Sequence, residues 1–159
     1  MAEVHLAKGD VGQVSRLLQR ALPLARWSAL SLHVLPRIFG AMIRAAADRD
    51  AARAVVDRAE STLGTEDLCP LCNIMLAVPA VIACADVGDV DRARHHLQVA
   101  EQSAPLWEGT SWQAALLEAR AHLADAEGDT TAAGGLLVEA AALFEAAGQP
   151  LDAARCQTA

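Results

Sequence analysis

Two cysteines one helical turn apart, Cys69 and Cys72 in Cys-Pro-Leu-Cys, are the residues best placed by type and spacing to do chemistry. At the start of a helix the unpaired backbone amides and the helix dipole favour thiolate, so the pair suits zinc ligation or cycling between dithiol and disulfide. A zinc site requires two further ligands. His95 and His96 are the nearest in sequence, but they lie six and seven residues after Asp89, whereas Cys72 precedes Asp89 by seventeen. If Asp89 marks the turn of an antiparallel helical hairpin, His95 is displaced from Cys72 by about 15 Å along the axis. Cys84 lies twelve residues beyond Cys72 on the same predicted helix and is excluded on the same ground, while Cys156 or a second chain stays open as a source. Three readings of the pair stand side by side: structural thiols, a redox couple and a metal-ligating pair. A thioredoxin-like site is excluded, because the βαβ pattern it requires is missing.

Trp107 and Trp112 flank Glu108-Gly109-Thr110-Ser111 and form the second candidate, as anchors for a partner or as packing in a joint between helices. Trp27 occupies a comparable connection, which favours the architectural reading. His5, His33 and His122 are each isolated on helical patterns and read as packed or partly exposed side chains. No phosphate loop, nucleophile elbow or H-E-x-x-H helix occurs, so no residue is assigned a catalytic role and a noncatalytic protein is expected.

The elements that must position these residues announce themselves through a recurring pattern. A small residue precedes an aspartate at Asp10, Asp48, Asp89 and Asp129, at intervals of 38, 41 and 40 residues. Behind each aspartate, positions +4, +8 and +11 are apolar or small: Val14, Leu18 and Ala21 in the first case, Ala133, Leu137 and Ala140 in the last. These positions share one helical face, so each aspartate opens a helix with a buried stripe. The interval accommodates a helix, a turn and a second, antiparallel helix, the signature of a helical repeat array. The expected fold is all-α, a single domain over residues 1–159, with units at about 1–26, 27–64, 69–105 and 109–148 and a partial unit at 150–157.

Within that frame the aspartates are structural. Gly9, Gly88 and Gly128 end one helix in a left-handed conformation, and each following carboxylate is expected to accept the next helix's free amides. Second helices are predicted at about Asp10 to Arg26, Asp48 to Leu63, Asp89 to Ala104 and Asp129 to Ala147. Their partners run from Ser28 to Ala47, from Pro70 to Val87 and from Thr110 or Ser111 onward, with Thr65, Glu66 and Asp67 as a connection. Pro36 and Pro79 fall inside first helices, where proline frees a carbonyl and kinks the axis. The first unit lacks its beginning and the last its end. The chain therefore reads as a segment of a longer array, or as one whose uncapped ends pair in a homodimer.

The net charge of −7 divides unevenly: residues 1–65 hold nine basic and six acidic side chains, residues 66–159 four and fourteen. The basic half would suit an acidic partner or another copy's acidic half, and the plainer reading is a set of solvated helix faces. One Lys and no basic cluster argue against direct nucleic-acid binding. The longest apolar run, Ile74 to Ala85, is interrupted by Pro79 and too short to span a bilayer, so no membrane role is expected. Four cysteines without a secretory leader point to reduced thiols in a cytoplasm.

The segments HLAKGDVGQVSRLLQRAL, CADVGDVDRARHHLQVAE and HLADAEGDTTAAGGLLVEAAALFEAAG resemble tetratricopeptide-like repeats, with an interval longer than the usual ~34 residues. CPLCNIMLAVPAVIACADVGD, APLWEGTSWQAALLEARAHLADAEGD and AAGQPLDAARC resemble the helical-repeat region near the C-terminus of large actinobacterial LuxR-type and ATPase-containing transcriptional regulators. That resemblance implies an α-solenoid that binds a protein or peptide within a signalling protein, and it supplies no catalytic residue and no cofactor. The alternative, from a different class, is a thiol-based sensor in which Cys69 and Cys72 bind zinc or oxidise.

Overall fold

The computed structural model describes residues 1–64 and 69–158, and every regular element among them is helical. The helices are α1 (Ala2–Ala7), α2 (Val11–Arg26), α3 (Ser31–Arg44), α4 (Arg49–Leu63), α5 (Pro70–Ala85), α6 (Val90–Ser103), α7 (Ser111–Ala126), α8 (Thr130–Ala146) and α9 (Pro150–Thr158), with a 3-10 turn at Ala104–Trp107. The connection expected at Thr65, Glu66 and Asp67 lies outside the described residues.

Three of the four aspartates cap as their spacing requires. The amides of Gln13, Ala51 and Ala132 donate to the carboxylates of Asp10, Asp48 and Asp129 at 3.1, 2.8 and 2.9 Å. Asp89 departs from the expectation: it precedes α6 but makes no side-chain cap, and its carboxylate lies 3.6 Å from the Arg92 guanidinium. Arg92 is held by Asp57 at 2.7 Å and Glu60 at 3.0 Å, so a fixed cation competes with the amides for the Asp89 carboxylate. Gly9, Gly88 and Gly128 carry φ of +73°, +76° and +89°, conformations that a Cβ would strain.

α3 starts later than the spacing suggested, because the Ser28 hydroxyl accepts the Leu30 amide at 3.1 Å and holds a turn ahead of it. α9, Pro150–Thr158, matches the partial unit expected at 150–157 to within a residue. α3 and α5 both continue through their prolines, Pro36 and Pro79.

α3, α5 and α7 lie side by side, while α4, α6 and α8 each pack against the helix that precedes them. Aspartate columns close this packing, with Val14, Val56, Ala93 and Ala140 fully buried. The seam between α3 and α5 is the tightest. Pro79 offers no N–H to the Met75 carbonyl one turn earlier, and that carbonyl faces Gly40 of α3 so closely that a Cβ there would stand 1.9 Å from its oxygen. Polar contacts between successive hairpins recur at similar separations in the chain: His96 to Glu60, Trp107 to Leu71 and His122 to Asp86 all span 36 residues. These separations fall four or five residues short of the intervals between the aspartates, so neighbouring hairpins meet with an offset of about one helical turn.

Candidate functional site

The side-by-side helices leave a concave groove of about 1050 Å³, lined mainly by α1, α3, α5, α7 and α9, with Arg49 and Ala52 from the start of α4, Phe144 of α8 and the turns that follow α3 and α8. Its apolar surface comes from Ile43, Val78, Ile82, Ala115 and Phe144. Around this run charged and polar groups that the helix register brings together. His122 and Asp86 meet at 2.8 Å, with Nδ1–H donating to the carboxylate. Arg155 of α9 makes a forked pair with Glu118 of α7 at 2.6 and 2.7 Å and a further contact with Asp152 at 2.6 Å. The Glu118 side chain is only 4% exposed against 46% for Arg155, so the fork carries a buried carboxylate to the groove wall. Bonding to Glu118 holds the Arg155 guanidinium well above its ordinary range, against the opposing effect of burial. Arg44 of α3 reaches Asp152 at 3.4 Å, so α9 is tied to both α7 and α3.

At the groove's α1 end a smaller cavity of about 270 Å³ adjoins Gly40, Met75, Pro79, Trp107 and Trp112. Both tryptophans are half-buried against the core, their ring centroids 6.1 Å apart. The Trp107 indole N–H donates to the Leu71 carbonyl at 2.8 Å, which locks the turn before α7 onto the start of α5. Trp112 contributes a ring face to the main groove as well. Trp27 behaves differently: it is 92% exposed, so the expected recurrence of tryptophan packing at joints is not found.

A second cluster sits where α3 and α5 begin. Cys72 Sγ lies 3.6 Å from His33 Nδ1, and the donor atoms of His33, Cys69 and Cys72 all fall within 4.8 Å of one another. Burial pushes the Cys69 thiol up, but the Cys72 thiol and the amides of Cys72 and Leu71 at the start of α5 more than offset it, leaving it lowered. Burial and the neighbouring Cys69 both push Cys72 up. One thiol of the pair is thus the easier to ionise.

In the sequence His33 stands isolated on a helical pattern, yet it is the imidazole that meets the cysteines. The signal was present in the spacing: His33 and Cys72 are 39 residues apart and sit fifteen and seventeen residues before Asp48 and Asp89. Neighbouring first helices bring such positions face to face. His95 and His96 stand apart from the thiols as the axial displacement requires; His96 is buried and bonds Glu60 at 2.9 Å. Cys84 and Cys156 are buried, and desolvation pushes each thiol up to about 11. Among the described residues, His33, Cys69 and Cys72 form the one group of three potential metal-binding side chains within mutual reach.

Comparison with family models, curated proteins and solved structures gives no match to this chain. Among the described residues no helix is long and apolar enough to cross a membrane.

Proposed function

We propose that this chain is a tetratricopeptide-like α-solenoid that holds an extended or helical segment of a partner protein in its concave groove, without catalysing a reaction. The observation that carries this reading is the groove itself: about 1050 Å³ along the first helices of successive hairpins, apolar at its base and charged along its walls. Apolar area supplies the driving force for binding and fixed charged groups supply orientation and selectivity. The recurring 36-residue separation of inter-hairpin contacts supports the repeat reading, since successive hairpins meet with a near-constant offset as stacked repeats do. By its resemblance to the repeat regions of bacterial regulators, the chain serves as the interaction segment of a transcriptional or signalling protein. Free cysteines fit a reducing cytoplasm for it.

Ala115 lines the groove and is half-buried, so Ala115→Trp fills the groove from one wall. Selection of a random peptide library on the wild-type chain should yield a consensus that the Ala115→Trp chain binds at least about tenfold more weakly, a loss of ~1.4 kcal/mol. Selected peptides that bind both chains equally would remove the groove from consideration.

A further inference from the structure

We propose that His33, Cys69 and Cys72 form a zinc site that ties the start of α3 to the start of α5, with one further oxygen or nitrogen donor completing the tetrahedron. This goes beyond pairing the two cysteines, because the imidazole comes from a different hairpin and makes the site tertiary rather than local.

The geometry fits the ion. With zinc–sulfur and zinc–nitrogen bonds of about 2.3 and 2.0 Å, a tetrahedral site places neighbouring sulfur and nitrogen ligands about 3.5 Å apart and two sulfurs about 3.8 Å apart. Cys72 Sγ and His33 Nδ1 are 3.6 Å apart, the separation such an ion would impose, and all three donors lie within 4.8 Å. Small side-chain rotations are therefore enough to close on an ion. Two thiolates and an imidazole are donors that favour zinc over calcium or magnesium, which prefer oxygen.

The supporting shell is also in place. Pro70 opens α5, and the amides of Cys72 and Asn73 bond the Cys69 carbonyl at 2.9 and 3.0 Å, so the spacing of the two cysteines is fixed by the first turn. The carbonyl of Leu71, between them, accepts the Trp107 indole N–H and is held from the other side. His33 and both cysteines are at least partly exposed, leaving a route for the ion and for the fourth ligand. Binding replaces the two thiol protons, which pass to the buffer, and neither sulfur changes oxidation state.

The test is titration of the intact, reduced, metal-stripped chain with zinc against a chromophoric chelator, repeated with cobalt. Expected are one zinc per chain and, with cobalt, thiolate charge-transfer absorption together with the intense d–d bands of a tetrahedral site. Cys72→Ser should abolish stoichiometric binding. His33→Ala should weaken it by more than the roughly 100-fold that loss of an outer-shell partner costs. His33→Cys should restore binding with charge-transfer intensity raised in proportion to a third thiolate, whereas His95→Ala should leave affinity unchanged. Less than one zinc per chain, or a His33→Ala affinity within threefold of the wild type, overturns the proposal. Because His33 is exposed, its replacement leaves the fold intact, and circular dichroism of each variant checks this directly.

Discussion

Gly40→Ala places a methyl group where α3 and α5 make their closest approach, and its effect should have the opposite sign to that of the same exchange elsewhere in this chain. In an open helix, glycine to alanine stabilises by about 1 kcal/mol through backbone entropy. At Gly40 the new Cβ would stand 1.9 Å from the Met75 oxygen and 2.9 Å from its carbonyl carbon, where real Cβ contacts begin near 3.0 Å. The obstacle is backbone, so no side chain can rotate aside and the helices must part. A radial gap of 0.5–1 Å forfeits roughly a quarter to a half of each dispersion contact along the seam, and overpacking of this kind costs about 1–3 kcal/mol. The propensity gain offsets only part of this, leaving a net loss of about 1 kcal/mol, or ~2–4 °C in Tm at this chain length. Gly134 and Gly135 of α8 are the internal controls, since a Cβ at either would meet nothing within 4 Å. Their alanine variants should gain about 0.5–1 kcal/mol each. Urea unfolding followed by circular dichroism measures all three. A Gly40→Ala chain as stable as the wild type would refute the close approach of Gly40 to the Met75 carbonyl.

Arg155→Ala should release α9 from α7 by stranding the Glu118 carboxylate. Breaking a fully buried pair costs about 3–5 kcal/mol, and the 46% exposure of Arg155 reduces this to about 2 kcal/mol. Hydrogen exchange should show the loss concentrated in α9, and unchanged protection there would contradict the pin. His96 gives the chain an acid sensitivity: burial lowers its pKa below 6.5, with Glu60 opposing, so the unfolded chain takes up a proton that the folded chain resists. The neutral histidine's contribution is complete above about pH 6.5 and declines as the pH falls below it, with a slope of at most ~1.4 kcal/mol per pH unit. The fall in stability between pH 7.5 and 5.5 should shrink in His96→Gln, and an identical pH profile would rule the histidine out.

The helical hairpins were legible because their signals are local. A glycine at positive φ, an aspartate cap and a stripe at +4, +8 and +11 each depend on neighbours within a few residues. What escaped is tertiary. Glu118 looks like any charged helical residue until α9 folds back and Arg155 reaches it. Pro79 announced a freed carbonyl, but Gly40, in another helix, is what that carbonyl faces. Asp89 carries the same sequence cue as Asp129 and loses its cap to Arg92, a competitor set in place by Asp57 and Glu60. His33 required the register between hairpins as well as the helices themselves. Trp27 shows the reverse error, where resemblance to another joint suggested packing that does not form. The groove could be expected as a consequence of stacking, whereas the closure of one wall by α9 could not.

The claim that function lies on the concave surface is tested most directly by amide hydrogen exchange of the intact chain with and without a peptide selected on it. New protection is expected along α3, α5 and α7 and in α9, the helices that line the groove, and it should be absent from the Ala115→Trp chain. Protection confined to α2 and α6, or to the segment carrying the exposed Leu24, Trp27 and Leu30, would place binding elsewhere and contradict it.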